Sequence, residues 1–392
     1  MSFSRAGMLT YITAGESHGP AMTAIVDGFP AGLEIDVEAI NRELKRRQGG
    51  YGRGQRQALE QDQVDLLSGV WNGVTLGSPI CLQIKNADFK LPRLSELPRP
   101  RPGHGDLSGA IKYLGSIRGV LERASARETA ARVAAGALAS QLLAQFGIHS
   151  IGFVLSIGTV RAEPKTELLP PQGSILKMVA ERDRSIVYSL NTAMDEQFKL
   201  AIDAAEQAGG TLGGIVETQV HGVPFGLGTH TQWQRKLDGR LAQAVMSIQA
   251  VKGVEIGLGF EAARRPGSQV HDPIQYDQST AETPQLGYTR PSNHAGGLEA
   301  GMTNGQPIIV RAAKKPISTL RQPLESINME TKEPQKASYE RSDVCAVPAA
   351  SVIVQHVVAF EVAAALVEKF GGDSLMEMQA RWETFQKLAR QR

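Results

Sequence analysis

The sequence predicts an α+β fold in which long apolar helices are held between β-sheets, and three observations carry that prediction. Segments 125–146, 237–250 and 346–370 read as helices without a clear polar face along much of their length. Such helices must be covered on several sides. Groups of short strands separate them in the chain, and sheets packed on either side supply the cover. The third observation is a repeat. Gly69-Val-Trp-Asn-Gly73-Val-Thr75-Leu-Gly77-Ser-Pro79-Ile80 and Gly297-Leu-Glu-Ala-Gly301-Met-Thr303-Asn-Gly305-Gln-Pro307-Ile308 share Gly-x-x-x-Gly-x-Thr-x-Gly-x-Pro-Ile. Their separation lies far outside solenoid periods. They read as two related halves, each a glycine-turned hairpin leading into an apolar strand.

Taken in order, Met8 to Ile12 and Ala21 to Val26 are strand candidates around Gly15-Glu-Ser-His18-Gly. An imidazole between glycines sits on a loop that a ligand can approach closely. Gly-x-Ser-x-Gly is absent there, so the loop is not a nucleophile elbow. Asp36 is placed to cap a helix whose Val37, Ile40 and Leu44 have helical spacing. That helix enters Lys45-Arg46-Arg47-Gln-Gly-Gly-Tyr-Gly-Arg53-Gly-Gln-Arg56, a glycine-rich loop whose guanidiniums suit carboxylate or phosphate. Val64 to Ile84 reads as strands joined by tight turns.

The stretch from Arg101 to Phe146 joins Arg101-Pro-Gly-His104-Gly-Asp106 to an Ala/Leu-rich run. Ser125 followed by Glu128 matches a capping box, which predicts one helix from about Ser125 to Phe146, stopped by Gly147. Its N-terminal N–H groups, flanked by Arg123 and Arg127, would face an anion. Further on, Ile151 to Val160, Gly213 to Val220 and Val254 to Phe260 read as strands, and Asp195 to Gln207 as an amphipathic helix. Residues 264–291 lack periodicity and read as a long loop. Residues 377–392 form an amphipathic tail helix with frayed ends.

Bulk properties exclude some classes. The chain has 392 residues, 42% hydrophobic and 21% charged, with a net charge of +2. That balance points to an ordinary soluble protein and gives no reason to expect a nucleic-acid partner. No signal-peptide pattern opens the chain and no apolar run reaches about 18 residues, so no membrane partner is expected. Cys81 and Cys345 lack metal-ligand spacing and read as reduced thiols, which favours a cytoplasmic location. No strand-linked Gly-x-Gly-x-x-Gly marks a dinucleotide fold.

At this point several motifs combine. Gly15-Glu-Ser-His18-Gly, Arg101-Pro-Gly-His104, Glu122-Arg-Ala-Ser-Ala-Arg-Glu-Thr129, Met246-Ser-Ile-Gln-Ala-Val-Lys-Gly253, Ser292-Asn-His-Ala-Gly-Gly297, Lys315-Pro-Ile-Ser-Thr319 and Arg341-Ser-Asp343 occur in that order. In them the chain resembles chorismate synthases from about Leu9 to Ser374. The resemblance implies one domain over 1–374 with helices between antiparallel sheets, assembled as a homotetramer; residues 375–392, which carry no part of it, read as a helical tail. It implies a lyase that removes phosphate from 5-enolpyruvylshikimate 3-phosphate and needs reduced FMN. It leaves open whether NADPH reduces the flavin on the protein or an external flavin reductase does so.

By the same resemblance, His18, His104 and Asp343 handle protons, and Arg47, Arg53, Arg127 and Arg132 hold substrate anions. Flavin contacts fall on Arg123, Ala124, Ser125, Gln249, Ala250, Ala300, Lys315, Pro316, Ile317, Ser318, Thr319 and Arg341. Three positions depart from the family pattern: Ser116 and Gly210 stand where Asp is expected, and Ala300 replaces a glycine. A flavin oxidoreductase using NAD(P)H and a non-enzymatic polyanion binder are the rival functions. The missing dinucleotide fingerprint weighs against the first, and the paired histidine loops weigh against the second.

Overall fold

Two sheets enclose a layer of helices, and each half of the chain builds one sheet and two of the enclosed helices. The computed structural model describes residues 8–54, 61–169, 174–340 and 342–392. Arg341, expected to touch the flavin, and Arg56 of the arginine loop lie outside the described residues.

The first half runs β1 (Thr10–Ala14), β2 (Ala21–Asp27), α1 (Val37–Gln48), β3 (Val64–Ser68), a small hairpin of β4 (Val70–Trp71) and β5 (Val74–Thr75), then β6 (Ile80–Lys85). Short helices α2 (Asp106–Tyr113) and α3 (Ile117–Ala124) precede α4 (Thr129–Ala144). The second half runs β7 (His149–Ile157), β8 (Val160–Arg161), α5 (Ile175–Arg184), α6 (Asp195–Gln207), β9 (Gly214–His221), β10 (Phe225–Gly228), α7 (Leu237–Met246) and β11 (Val251–Ile256). It continues with β12 (Gln275–Tyr276), β13 (Tyr288–Thr289), β14 (Leu298–Glu299), β15 (Met302–Asn304), β16 (Ile308–Lys314), α8 (Val347–Phe370) and α9 (Leu375–Ala389).

The sheets are antiparallel, with orders β1-β2-β6-β3 and β8-β7-β9-β16-β11. Apart from the short β8, the two orders superpose strand for strand, and α1 and α4 correspond to α7 and α8. The repeated motif builds the same object twice. Asn72-Gly73 and Ala300-Gly301 both have positive φ, 49° and 79° against 50° and 82°, as a tight hairpin turn requires. Thr75 Oγ1 donates to Pro30 O and accepts from Leu33 N, and Thr303 does the same with Pro224 O and Leu227 N. The sequence reading missed those partner segments, Gly28-Phe-Pro-Ala-Gly-Leu33 and Gly222-Val-Pro-Phe-Gly-Leu227, which share Gly-x-Pro-x-Gly-Leu.

Local chemistry explains most element ends. Asp36 Oδ1 accepts from Ala39 N at 2.8 Å and starts α1, which turns Ile40 and Leu44 inward. The expected helix over 125–146 begins as a 3₁₀ turn over Ala126–Glu128 and continues as α4 to Ala144, so Ser125 opens it although the capping box does not form. Ser125 is extended (φ −63°, ψ 144°) and its hydroxyl accepts from Arg127 N, while Glu128 turns away to other partners. The capping box is at Ser374 and Glu377, opening α9. The helix expected over 237–250 stops at Met246, where the chain tightens into the Ile248 N to Val245 O turn before a left-handed Ala250 (φ 67°). Residues 264–291 carry short 3₁₀ turns and strand β12, which pairs with β13. Helix α9 does not hang free: Trp382 packs on Phe146 and Phe370.

Helix α8 corrects one reading. By length and composition it could cross a bilayer, but 94% of its most apolar window is buried. It crosses α4 closely enough that a Cβ on Gly136 would lie 2.2 Å from His356 O. Gly136→Ala must therefore push two backbones apart, although alanine is the better helix former. A destabilisation of about 1–3 kcal/mol is expected for such overpacking, read as a lower urea midpoint; an unchanged midpoint would show the crossing to be loose.

Candidate active site

The arginine loop, the histidine loops and the motif before α4 converge at one end of the helix layer. At the centre, Asp62 is buried between two guanidiniums. Arg47 Nη2 donates to Asp62 Oδ2 at 2.6 Å, and Arg127 Nη1 donates to both oxygens at 2.6 and 2.8 Å. Burial alone would raise the Asp62 carboxyl, but Arg47 and Arg127 outweigh it and hold it below the ordinary range. Two arginines sharing one carboxylate retain excess positive charge. Asn86 ties this centre to the first histidine loop: its Oδ1 accepts from Arg127 Nε, and its Nδ2 donates to Glu16 O and Gly19 O.

Each histidine is held through Nδ1 by a buried carboxylate that is itself beside an arginine. His18 Nδ1 lies 2.9 Å from Glu122 Oε1, and His18 N donates to Oε2 at 2.8 Å. Arg118 Nη1 is 3.8 Å from Glu122 Oε1. Burial pushes Glu122 up, yet the bonds from His18 prevail and keep it below its ordinary value. An ionised carboxylate only accepts, so the network assigns the hydrogen to Nδ1. Nε2 then faces Asp88, 3.7 Å away.

His104 repeats the arrangement. Its Nδ1 is 2.5 Å from Asp106 Oδ1, and Arg101 grips Asp106 through Nε (2.8 Å) and Nη2 (3.0 Å). Burial would raise Asp106, but His104 and Arg101 drive it well below the carboxylate range. Arg101 Nη1 also reaches Thr319 Oγ1, and Lys315 Nζ donates to Gly103 O, so the His104 loop and the 315–319 loop are one unit.

One short segment connects these parts. Glu340 pairs with Arg118, Ser342 Oγ donates to Thr319 O, and Asp343 accepts from Arg53 Nη1 (2.5 Å) and Gly54 N (2.7 Å). Both Asp343 oxygens are thus engaged by the arginine loop.

A neighbouring network holds the remaining expected residues. Arg123 is fixed to Gly15 O and Thr13. Ser125 donates to Ser17 Oγ, with Ala124 preceding it at the end of α3. Arg132 is paired with Glu128 and donates to Ser247 Oγ. Glu128 also accepts from Thr13 and Gln249. Thr211 Oγ1 donates to Ile317 O beside Pro316 and Ser318. Ala250 follows Gln249 in its left-handed turn. Ala300 is not brought to this group: it is exposed on the β14–β15 turn at the start of α7. The ten residues of α7 separate it by about 15 Å from Ser247 at the other end.

Of the departures, Ser116 caps α3 through Gly119 N, as an aspartate would. Gly210 N bonds Ala205 O beyond α6. Sequence reasoning missed Asp62, Asn86, Asp88, Glu122 and Asp106 as partners. Glu122 and Asp106 stood inside motifs already singled out; the others had no local signal.

Two histidines, each oriented by a carboxylate, beside a buried cluster with excess positive charge form a site suited to catalysis on a small polyanion. Comparison with known proteins specifies it. The sequence profile of chorismate synthase matches residues 9–367. A chorismate synthase of Trichlorobacter lovleyi is 54% identical over 96% of this chain and 98% of its own length. One from Enterococcus faecalis is 51% identical over 95% and 97%. A crystal structure of chorismate synthase superposes with a TM-score of 0.80 at 43% identity, covering 98% of this chain and 99% of that one. The chain belongs to the chorismate synthase family. It is a carbon–oxygen lyase of the shikimate pathway, forming chorismate from 5-enolpyruvylshikimate 3-phosphate for aromatic amino acid biosynthesis.

Proposed function

We propose that the cleft carries out a 1,4-elimination on substrate held by Arg47, Arg53, Arg127 and Arg132, with reduced FMN bound alongside. The observation that supports this reading most is the pair of histidines hung through Nδ1 from Glu122 and Asp106, with Nε2 of His18 turned to Asp88 and Nε2 of His104 to Arg101 Nη2. The reaction breaks a C–H and a C–O bond, forms a double bond, and releases a proton and phosphate. Carrying a proton on Nε2 as well as on Nδ1, His18 would donate a proton or hydrogen bond to the departing phosphate. His104 would hold a proton beside the bound flavin, and Asp343, engaged by Arg53 and Gly54, would take part in proton handling there. The substrate's two carboxylates and phosphate account for clustered arginines in a chain of little net charge.

The residues present suit a flavin. Gln249 Oε1 is a buried acceptor without a donor among the described residues, and the flavin ring offers an N–H. Arg123, Ala124, Ser125, Gln249, Ala250 and Lys315 to Thr319 are read as its contacts, with Arg341 added from the sequence. Reduced FMN, when bound, lends electron density to the allylic system and is not consumed.

We read the working unit as a cytoplasmic homotetramer supplied with reduced flavin by NADPH or an external reductase. Support for assembly comes from an asymmetry between the sheets. Ile151, Phe153 and Leu155 of β7 are covered by Leu168, Met178 and Leu190. On the first sheet, the paired Ile12 and Ile25 remain 69% and 40% exposed.

Arg53→Ala should weaken substrate binding by about 1.5–3 kcal/mol, the worth of a charge-assisted contact, and weaken FMN binding less. Arg53→Lys should restore only part, since the fork is lost. Calorimetric titration of each ligand checks this; wild-type substrate affinity in Arg53→Ala would reduce the loop to surface decoration.

A further inference from the structure

One cation in the cleft has no role in the account above. Lys314 ends β16, where Ile308, Val310, Ala312 and Lys314 alternate toward the helices. An ammonium thus occupies a position that the strand's pattern gives to an apolar side chain, and the residue is only 9% exposed. An ammonium has three donors. Among the described residues Nζ makes one hydrogen bond, a long one of 3.4 Å to Gln249 O. Burying a charge so sparsely bonded is costly, and the backbone pairing of β16 with β9 and β11 would form with any side chain there.

The charged groups around Lys314 are those of the cleft. Burial lowers its pKa most, to about 8, with Arg53 and Lys315 acting in the same direction and Asp343 and Cys345 opposing. Arg53, Asp343, Gln249 and Lys315 are the residues read as meeting substrate and flavin from four different segments. We propose that Lys314 is a ligand-binding residue whose ammonium meets an anionic oxygen of the ligand seated between Arg53 and Gln249. The inference rests on reading this cleft as the active site. A substrate carboxylate or phosphate and an anionic group of the flavin share the required chemistry, a desolvated oxygen anion, and separate titrations distinguish them.

Linkage fixes the sign. Ligand binding favours the charged lysine, so affinity is greatest below about pH 8 and falls about tenfold per unit above it. Phosphate monoesters are already dianions there, so the slope belongs to the protein. Folding is affected oppositely. The unfolded chain binds the extra proton between about 8 and the ordinary lysine value, so Lys314 costs least stability at high pH.

The test uses full-length wild type, Lys314→Met and Lys314→Arg. Binding of 5-enolpyruvylshikimate 3-phosphate is measured by calorimetry, and binding of FMN by fluorescence, from pH 7 to 9.5, with melting temperatures alongside. Lys314→Met is expected to bind one of the two ligands roughly tenfold more weakly at pH 7, to lose the slope, and to melt no lower than wild type. Lys314→Arg should keep most affinity and also lose the slope, since guanidinium does not titrate there. Wild-type affinity and slope for both ligands in Lys314→Met overturn the proposal. So does a lower melting temperature with pH-independent losses, which marks a structural lysine. If Lys314→Met does not fold, a wild type without the slope overturns it equally. Failure of wild type to bind either ligand sinks the reading of the cleft itself.

Discussion

His18→Ala and His104→Ala should each lower turnover by about 10²–10⁴-fold, the usual contribution of a positioned acid or base. The two losses should differ in kind. Without His18, phosphate departure lacks its proton donor, so a substrate analogue with a better leaving group should recover part of the rate. Without His104, the pH at which the reduced flavin's spectrum changes in the ternary complex should move, because a donor beside the ring is gone. Each histidine is bound to a buried carboxylate, so each alanine variant also removes one partner of Glu122 or Asp106. Circular dichroism and thermal melting must therefore accompany the rates. Folded variants that turn over at the wild-type rate would remove both histidines from the mechanism.

Asp62→Ala should produce the largest loss of stability, about 3–5 kcal/mol, because it leaves Arg47 and Arg127 buried against each other. That is a large part of the about 5–15 kcal/mol that holds a typical domain together. The sign with pH follows from the lowered Asp62 pKa. Its contribution is present above the ordinary carboxylate value and is lost as pH falls through the folded one. Wild type should therefore lose this share of stability on acidification below about pH 4, and Asp62→Asn should not. An anionic ligand should raise the melting temperature of Asp62→Ala more than that of wild type, since it supplies the missing counter-charge. Equal shifts would mean that the two arginines do not face the ligand.

Much of the layer architecture was legible because it rests on one-dimensional signals. The predominantly apolar character of 346–370, with no polar face, forces cover on all sides, and the glycine spacing at 69–80 and 297–308 encodes turns that need positive φ. Ala300 sits at such a left-handed turn position, which penalises its side chain, and nothing in the structure explains its departure from glycine. What failed was local chemistry overruled by distant partners. Ser125 and Glu128 spell a capping box, but Glu128 is taken by Thr13, Arg132 and Gln249. The helix still starts there, on a 3₁₀ turn capped by Ser125, whose hydroxyl also donates to Ser17 Oγ.

The cleft was legible in part for a similar reason. Histidines and arginines advertise themselves by type, whereas the carboxylates that orient them do not. Asp62 serves Arg127 from 65 residues away, and Glu122 serves His18 from 104. No spacing rule reaches that far, and each pairing becomes visible only once β1, β2, β6 and α3 are set side by side. Lys314 was hidden differently, as the last inward position of an apolar strand.

The central claim is that this cleft eliminates phosphate with the help of a flavin that is reduced but not spent. Anaerobic phosphate release from 5-enolpyruvylshikimate 3-phosphate tests it most directly, with dithionite-reduced FMN, with oxidised FMN and without flavin. The account predicts phosphate and chorismate in equal amounts only with reduced FMN, over many turnovers per flavin and with the flavin still reduced at the end. Release without flavin, or one flavin oxidised for each phosphate freed, would contradict it.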